Sequence, residues 1–277
     1  IFWSCEIEPV VRALDAGSSP VLMSGVGAAS RAHMAVSLKR RAQSPLFVVC
    51  PDDSAAENMR RDLAALLGKE VTLLLGRDFT FYNADGVTRQ AEQRRIAALD
   101  SLLRGADAAV CSLQALLQRA IPPAALEAAA LTVRDGGDYA MDDLERALLR
   151  AGYVHRLEVE GPGQYSRRGG ILDLFSPAYE QPVRIEFWGD TVDSMGFFDL
   201  SSQRRTENIA ECRCLPAAET LPSAFPGGET ALADELSTLA VKYSASRKPE
   251  LKKLAENLRS DAERLRNGAP ISAADRY

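Results

Sequence analysis

The sequence predicts an α/β fold: a parallel-sheet domain of nucleotide-binding type with a degenerate phosphate loop, interrupted by a small inserted α+β domain. Three observations carry this. Short continuous apolar runs, Val21 to Ser24, Leu46 to Cys50, Val71 to Leu75 and Ala108 to Ser112, alternate with helical patterns, as strands buried on both faces under helices do. The turn after the first run, Gly25 to Ala32, retains fragments of a phosphate-binding motif. Further along, one helical pattern is followed by strand candidates punctuated by glycine turns, which marks a small α+β domain. The expected segments are 1–127, 128–213 and 214–277, the last returning to the first domain.

In the first segment, Ser54 followed by Glu57 reads as a capping box opening a helix to Leu67, with Met59, Leu63, Leu66 and Leu67 on one face. Phe79, Phe81 and Tyr82 read as a core plug, since Asp78, Asn83 and Asp85 around them would repel phosphates. A helix from Thr88 to Leu103 carries Ile96, Leu99, Leu102 and Leu103 as its buried stripe, leaving Arg89, Arg94 and Arg95 to solvent.

Set against G-x-x-x-x-G-K-[ST], the turn Gly25-Val-Gly27-Ala-Ala-Ser30-Arg31-Ala32 keeps only the first glycine. Ser30 replaces the second glycine, Arg31 the lysine, and Ala32 the hydroxyl that would hold magnesium. Alanine cannot ligate a metal. The dinucleotide pattern G-x-G-x-x-G has Gly25 and Gly27 but again meets Ser30. The loop therefore reads as vestigial, and no cofactor is expected.

In the middle segment, Leu131 to Val133 reads as a strand and Met141 to Ala151 as a helix with Leu144, Leu148 and Leu149 inward, stopped by Gly152. Taking Val183 to Trp188 as a strand, the period of two places Val183, Ile185 and Phe187 on one face and Arg184, Glu186 and Trp188 on the other. A hairpin from the strand Ile171 to Phe175 brings Arg167 and Arg168 beside Arg184, which predicts a basic, aromatic patch suited to binding. In the last segment Leu215 to Pro226 reads as loop. Pro249 opens an amphipathic helix to about Arg266, with Leu251, Leu254, Leu258, Ala262 and Leu265 packing back on the first domain.

Composition narrows the function. Thirty-three basic against 38 acidic residues give a net charge of −5, so a dedicated DNA binder is disfavoured. Cys5, Cys50, Cys111, Cys212 and Cys214 are scattered and read as reduced residues of a cytoplasmic protein. No apolar run nears membrane-span length, so no membrane partner is expected. His33 and His155 lack any catalytic or ligand context, and Cys212-x-Cys214 has no second pair to complete a zinc site, so neither catalysis nor metal is predicted. The chain starts without methionine and ends at Tyr277 without a tail, as a piece of a longer protein would.

One resemblance is specific. Gly152-Tyr153, Glu160-Gly161, the run Gly163-Gln-Tyr-Ser-Arg-Arg-Gly-Gly-Ile-Leu-Asp-Leu-Phe175, Arg184-Ile-Glu-Phe-Trp-Gly-Asp190, Ser194, Phe198-Asp199 and Ser202-Gln203-Arg204 resemble the amino-terminal, UvrB-like region of the bacterial transcription-repair coupling (Mfd) family. The match is dense over about residues 125–220, looser before and thin after. The resemblance implies two pieces of a nucleotide-type domain that has lost its phosphate loop, with an inserted domain that binds UvrA through Arg168, Arg184 and Trp188. Relatives can carry phenylalanine at the last position. It also implies that a carboxy-terminal domain of the parent masks this face, and that RNA polymerase and DNA are engaged only by other parts of the parent. The chain is too short between Tyr82 and Thr88 for the DNA-probing hairpin of UvrB. The alternative is a UvrB-type ATP-dependent repair enzyme with a variant loop.

Overall fold

The structure is a computed structural model that describes residues 4–77, 90–268 and 271. It is mixed α/β, with parallel and antiparallel sheets, and its chain contacts divide into two units: 1–77 with 98–119, and 78–97 with 120–277. The aromatic cluster at Phe79, Phe81 and Tyr82, and Arg89, lie outside the described residues.

The first unit contains α1 (Ser4–Asp15), α2 (Ala28–Ala42), β1 (Leu46–Cys50), α3 (Asp53–Leu67) and β2 (Thr72–Leu74). The end of α4 (Gln90–Leu103) follows, then β3 (Ala108–Ser112) and α5 (Leu113–Leu117). Its sheet is parallel in the order β1-β3-β2. Ala32 and Val36 of α2 and Ala56 and Leu63 of α3 bury one face with Val110. Ala98, Leu99 and Leu102 of α4 pack with Leu74, Cys111 and Ala115.

Three local expectations are corrected here. Val21 to Ser24 joins no ladder and Leu22 is 92% exposed, because an apolar run becomes a strand only where a neighbour takes its hydrogen bonds. α3 is capped one residue before its start by Asp52, whose carboxylate accepts from the Ala55 amide at 2.8 Å. Glu57 accepts from Arg60 Nη2 at 2.8 Å. Leu103, at the end of the α4 stripe, is 43% exposed.

The second unit holds the start of α4, α6 (Pro123–Ala129), β4 (Leu131–Arg134) and α7 (Met141–Arg150). The strands β5 (Val154–His155), β6 (Gln164–Arg168), β7 (Ile171–Leu174), β8 (Val183–Trp188), β9 (Thr191–Phe198) and β10 (Arg205–Asn208) then form one sheet in the order β10-β9-β8-β7-β6-β5. It is antiparallel except where β5 joins β6. β11 (Glu211–Cys214) pairs separately with β4. Met141, Leu144 and Leu148 of α7 close one sheet face over Tyr165, Leu172, Leu174, Val183 and Ile185. Leu149, expected inward, is on the solvent side of α7 at 44% exposure, one residue beyond the stripe that Leu144 and Leu148 define. Gly152 ends this helix at φ 86°, where its amide reaches the Leu149 carbonyl and the Tyr153 amide reaches Leu148.

The leucines of α9 (Pro249–Arg266) pack on α8 (Gly228–Ser244), a helix absent from the sequence reading. Leu258, Ala262 and Leu265 meet Leu232, Ala233, Leu236 and Ala240, with Ile271 closing the cluster. This corrects the expectation that the stripe packs on the first domain. The proline- and glycine-rich lead-in to Gly228 hid a helix whose apolar residues are a match for those of α9.

Candidate protein-interaction face

The strand β8 alternates as its sequence requires: Val183, Ile185 and Phe187 are buried, Arg184 and Glu186 half-buried, and Trp188 is 86% exposed. Register carries that alternation across the sheet. Asp173 of β7 lies opposite Arg184 and Ile171 opposite Glu186, while on β6 Ser166 lies opposite Asp173 and Arg168 opposite Ile171. Because paired residues share a face, Arg168, Asp173, Arg184, Glu186 and Trp188 all stand on the side that α7 does not cover.

Asp173 is the centre of this group. Its side chain is 3% exposed, and Arg184 grips it at two points, Nε to Oδ1 at 2.7 Å and Nη2 to Oδ2 at 2.9 Å. Arg168 reaches the same Oδ2 through Nη2 at 2.8 Å. Arg184 also donates to the Gln203 carbonyl and to Gln203 Oε1, and its guanidinium carbon is 4.5 Å from the centroid of the buried Phe198 ring. Donating to the Asp173 carboxylate raises the Arg184 pKa above its ordinary value. On the next strands Arg205 pairs with Glu186 at 3.0 Å and donates to Ser194.

Two sequence expectations change. Arg167 does not join Arg184. It points to the α7 side, donating to Asp142 and Glu145 at 2.6 Å each, since consecutive residues of a strand face opposite ways. Those bonds hold the Asp142 carboxyl below its usual range, and burial, then the Glu145 charge, push the neighbouring Tyr165 up to about 12. The patch is also not basic. Arg168, Arg184 and Arg205 are matched by Glu158, Asp173 and Glu186. Asp173, Gln203 and Arg205 were missed as site residues. The alternation Leu172-Asp173-Leu174 is the signal that could have found Asp173, as a carboxylate between two inward leucines belongs on the opposite face.

The charged residues end at Trp188, which with Asp135, Gly136, Thr191, Val192 and Asp193 lines a surface depression of about 470 Å³. An exposed tryptophan beside a network of satisfied ion pairs is suited to protein recognition.

Elsewhere, the loop residues spread into different local roles. Gly25 has φ 75° and Gly27 caps α2, while Ser30, Arg31 and Ala32 lie inside the helix. Arg31 Nε donates to the Val26 carbonyl at 3.3 Å, and Ala32 is buried. Among the described residues no group of three or more His, Cys, Asp or Glu could hold a metal ion. Cys212 and Cys214 do face the same side of β11, with their sulfurs 3.9 Å apart inside the core.

The antiparallel sheet with its single covering helix falls in a known class: residues 131–219 match the sequence model of the UvrB interaction domain family. The chain as a whole is a homologue of part of the transcription-repair-coupling factors. It is 34% identical over 270 residues to that of Myxococcus xanthus, covering 94% of this chain and 22% of the relative. The Bacillus subtilis protein is 26% identical over 96% of the chain, and that of Escherichia coli 28% identical over 85%. The chain thus spans about a fifth of the length of these relatives, 20 to 23% in the last two.

Proposed function

We propose that this chain is the non-catalytic adaptor region of a transcription-repair coupling factor, which recruits UvrA to stalled transcription complexes in nucleotide excision repair. The observation that carries this reading is that Arg168, Arg184 and Trp188, the positions implied for UvrA binding, share one face of a UvrB interaction domain. In this reading 1–127 and 214–277 are pieces of a nucleotide-type domain, and 128–213 is the insert that meets UvrA in the cytoplasm. Ser30, Arg31 and Ala32 make the phosphate loop vestigial. RNA polymerase and DNA are engaged by other parts of the parent, whose carboxy-terminal domain covers the face at rest.

The test is a pull-down with purified UvrA. Wild-type chain is expected to retain it and Trp188→Ala to retain much less, with both folded by circular dichroism. Equal retention by the two would remove this face from the assignment. The UvrB-type ATP-dependent enzyme is the competing reading, and magnesium-dependent ATP turnover by this chain would favour it.

A further inference from the structure

Arg168 and Arg184 are not equivalent, and Asp173 is what separates them. Arg184 spends Nε and Nη2 on Asp173 and Nη1 and Nη2 on Gln203, rests on Phe198, and its side chain is only 17% exposed. Arg168 shares one Asp173 oxygen, comes no closer than 3.8 Å to Glu158, and is 46% exposed. A guanidinium held this way has little left to offer a partner, whereas one tethered at a single nitrogen has a fork edge to present. Asp173 itself is too buried to touch anything that docks.

Resting on the reading of this face as the UvrA-binding surface, we propose that Asp173 is a positioning residue. It holds Arg184 inward as scaffold and thereby aims Arg168 at a carboxylate or carbonyl of UvrA. Arg184 then contributes to binding through Asp173 and Arg168 and makes no contact of its own. The arrangement explains why a buried carboxylate stands on the open face of the sheet, where a purely structural residue would be apolar or exposed.

The experiment is a calorimetric double-mutant cycle with UvrA, using Arg168→Ala, Asp173→Asn, their combination, and Trp188→Ala as reference. Asp173→Asn is expected to weaken binding about tenfold, and the combination no further than Arg168→Ala alone, because both changes remove the same contact. Trp188→Ala is expected to add its full loss to either. If Asp173→Asn binds as wild type, or its loss multiplies that of Arg168→Ala, the positioning role is overturned while the face stands. If Trp188→Ala is also without effect, the face itself is wrong. Should Asp173→Asn fail to fold, Arg184→Lys takes its place. It keeps the charge but not the two-point grip, and is expected to lose affinity non-additively with Arg168→Ala. Wild-type affinity in Arg184→Lys would equally overturn the proposal.

Discussion

Arg95 and Glu219 form an ion pair in which each side chain is 2% exposed, with Arg95 Nε 3.1 and 3.0 Å from the two carboxylate oxygens. The sequence placed Arg95 in solvent on the outer side of α4. Instead, the start of α4 is tied to the chain leaving β11, where Glu92 accepts from the Glu219 amide at 2.7 Å, and to the turn before β6, where Gln93 donates to the Pro162 carbonyl at 2.9 Å. Breaking a buried pair strands the remaining charge, so Arg95→Ala or Glu219→Ala should each cost about 3–5 kcal/mol. Replacing both, Arg95→Met with Glu219→Leu, should cost less than either alone. Urea unfolding of the four proteins checks this.

At the sheet face, Trp188→Ala should remove about 2 kcal/mol of UvrA binding, the size of an aromatic hot spot. Arg264→Ala, on the exposed side of α9, should remove none. Since the arginines here are matched by carboxylates, the association rate should depend only weakly on salt, and a steep dependence by stopped flow would contradict the charge balance. The isolated chain should also bind UvrA more tightly than its resting parent, in which the face is proposed to be covered.

Magnesium-ATP titrated calorimetrically into the chain should give no heat of binding. This follows from the proposed loss of the phosphate loop, in which Arg31 donates to the Val26 carbonyl and Ala32 is packed in the core. With a net charge of −5, duplex DNA should bind weakly and be released by modest salt.

The buried thiols should be slow to react. Desolvation raises the pKa of Cys50 and Cys111, and the hydrogen bond between the Cys212 and Cys214 thiols, then burial, raises that of Cys212. In each case this suppresses the reactive thiolate at neutral pH. Native alkylation followed by mass spectrometry should leave Cys50, Cys111, Cys212 and Cys214 largely unmodified, and denaturation should expose all four.

Asp142 carries a pH signature. Its folded pKa lies below the unfolded value because Arg167 hydrogen-bonds the ionised form. Its contribution is therefore present above about pH 4 and is lost as pH falls through the folded pKa. Asp142→Asn should lower the urea midpoint at neutral pH and converge with wild type in acid. A gap that widened on acidification would refute this linkage.

How far the sequence reaches can be judged from particular residues. Leu46 to Cys50, Ala108 to Ser112, Val183 to Trp188 and Pro249 to Arg266 are elements whose bounds follow from apolar runs, period and a helix-opening proline, and the structure keeps those bounds. The alternation that exposes Trp188 and half-buries Arg184 is likewise written in β8 alone, because side-chain direction in a strand is a local property. What depends on pairing is not local. Val21 to Ser24 is as apolar as a strand yet finds no ladder, and α8 emerges only because its small apolar residues meet the leucines of α9.

The chemistry of the face was settled at the same level. Sequence determined that Arg168, Arg184 and Trp188 exist with the spacing to share a surface. Only the register of β6, β7 and β8 put Asp173 between the two arginines, and only the pairing of β8, β9 and β10 matched Arg205 with Glu186. The physical reason is that ion pairing acts over a few ångströms between residues separated along the chain, so a sum of charges cannot say which of them remain available to a partner.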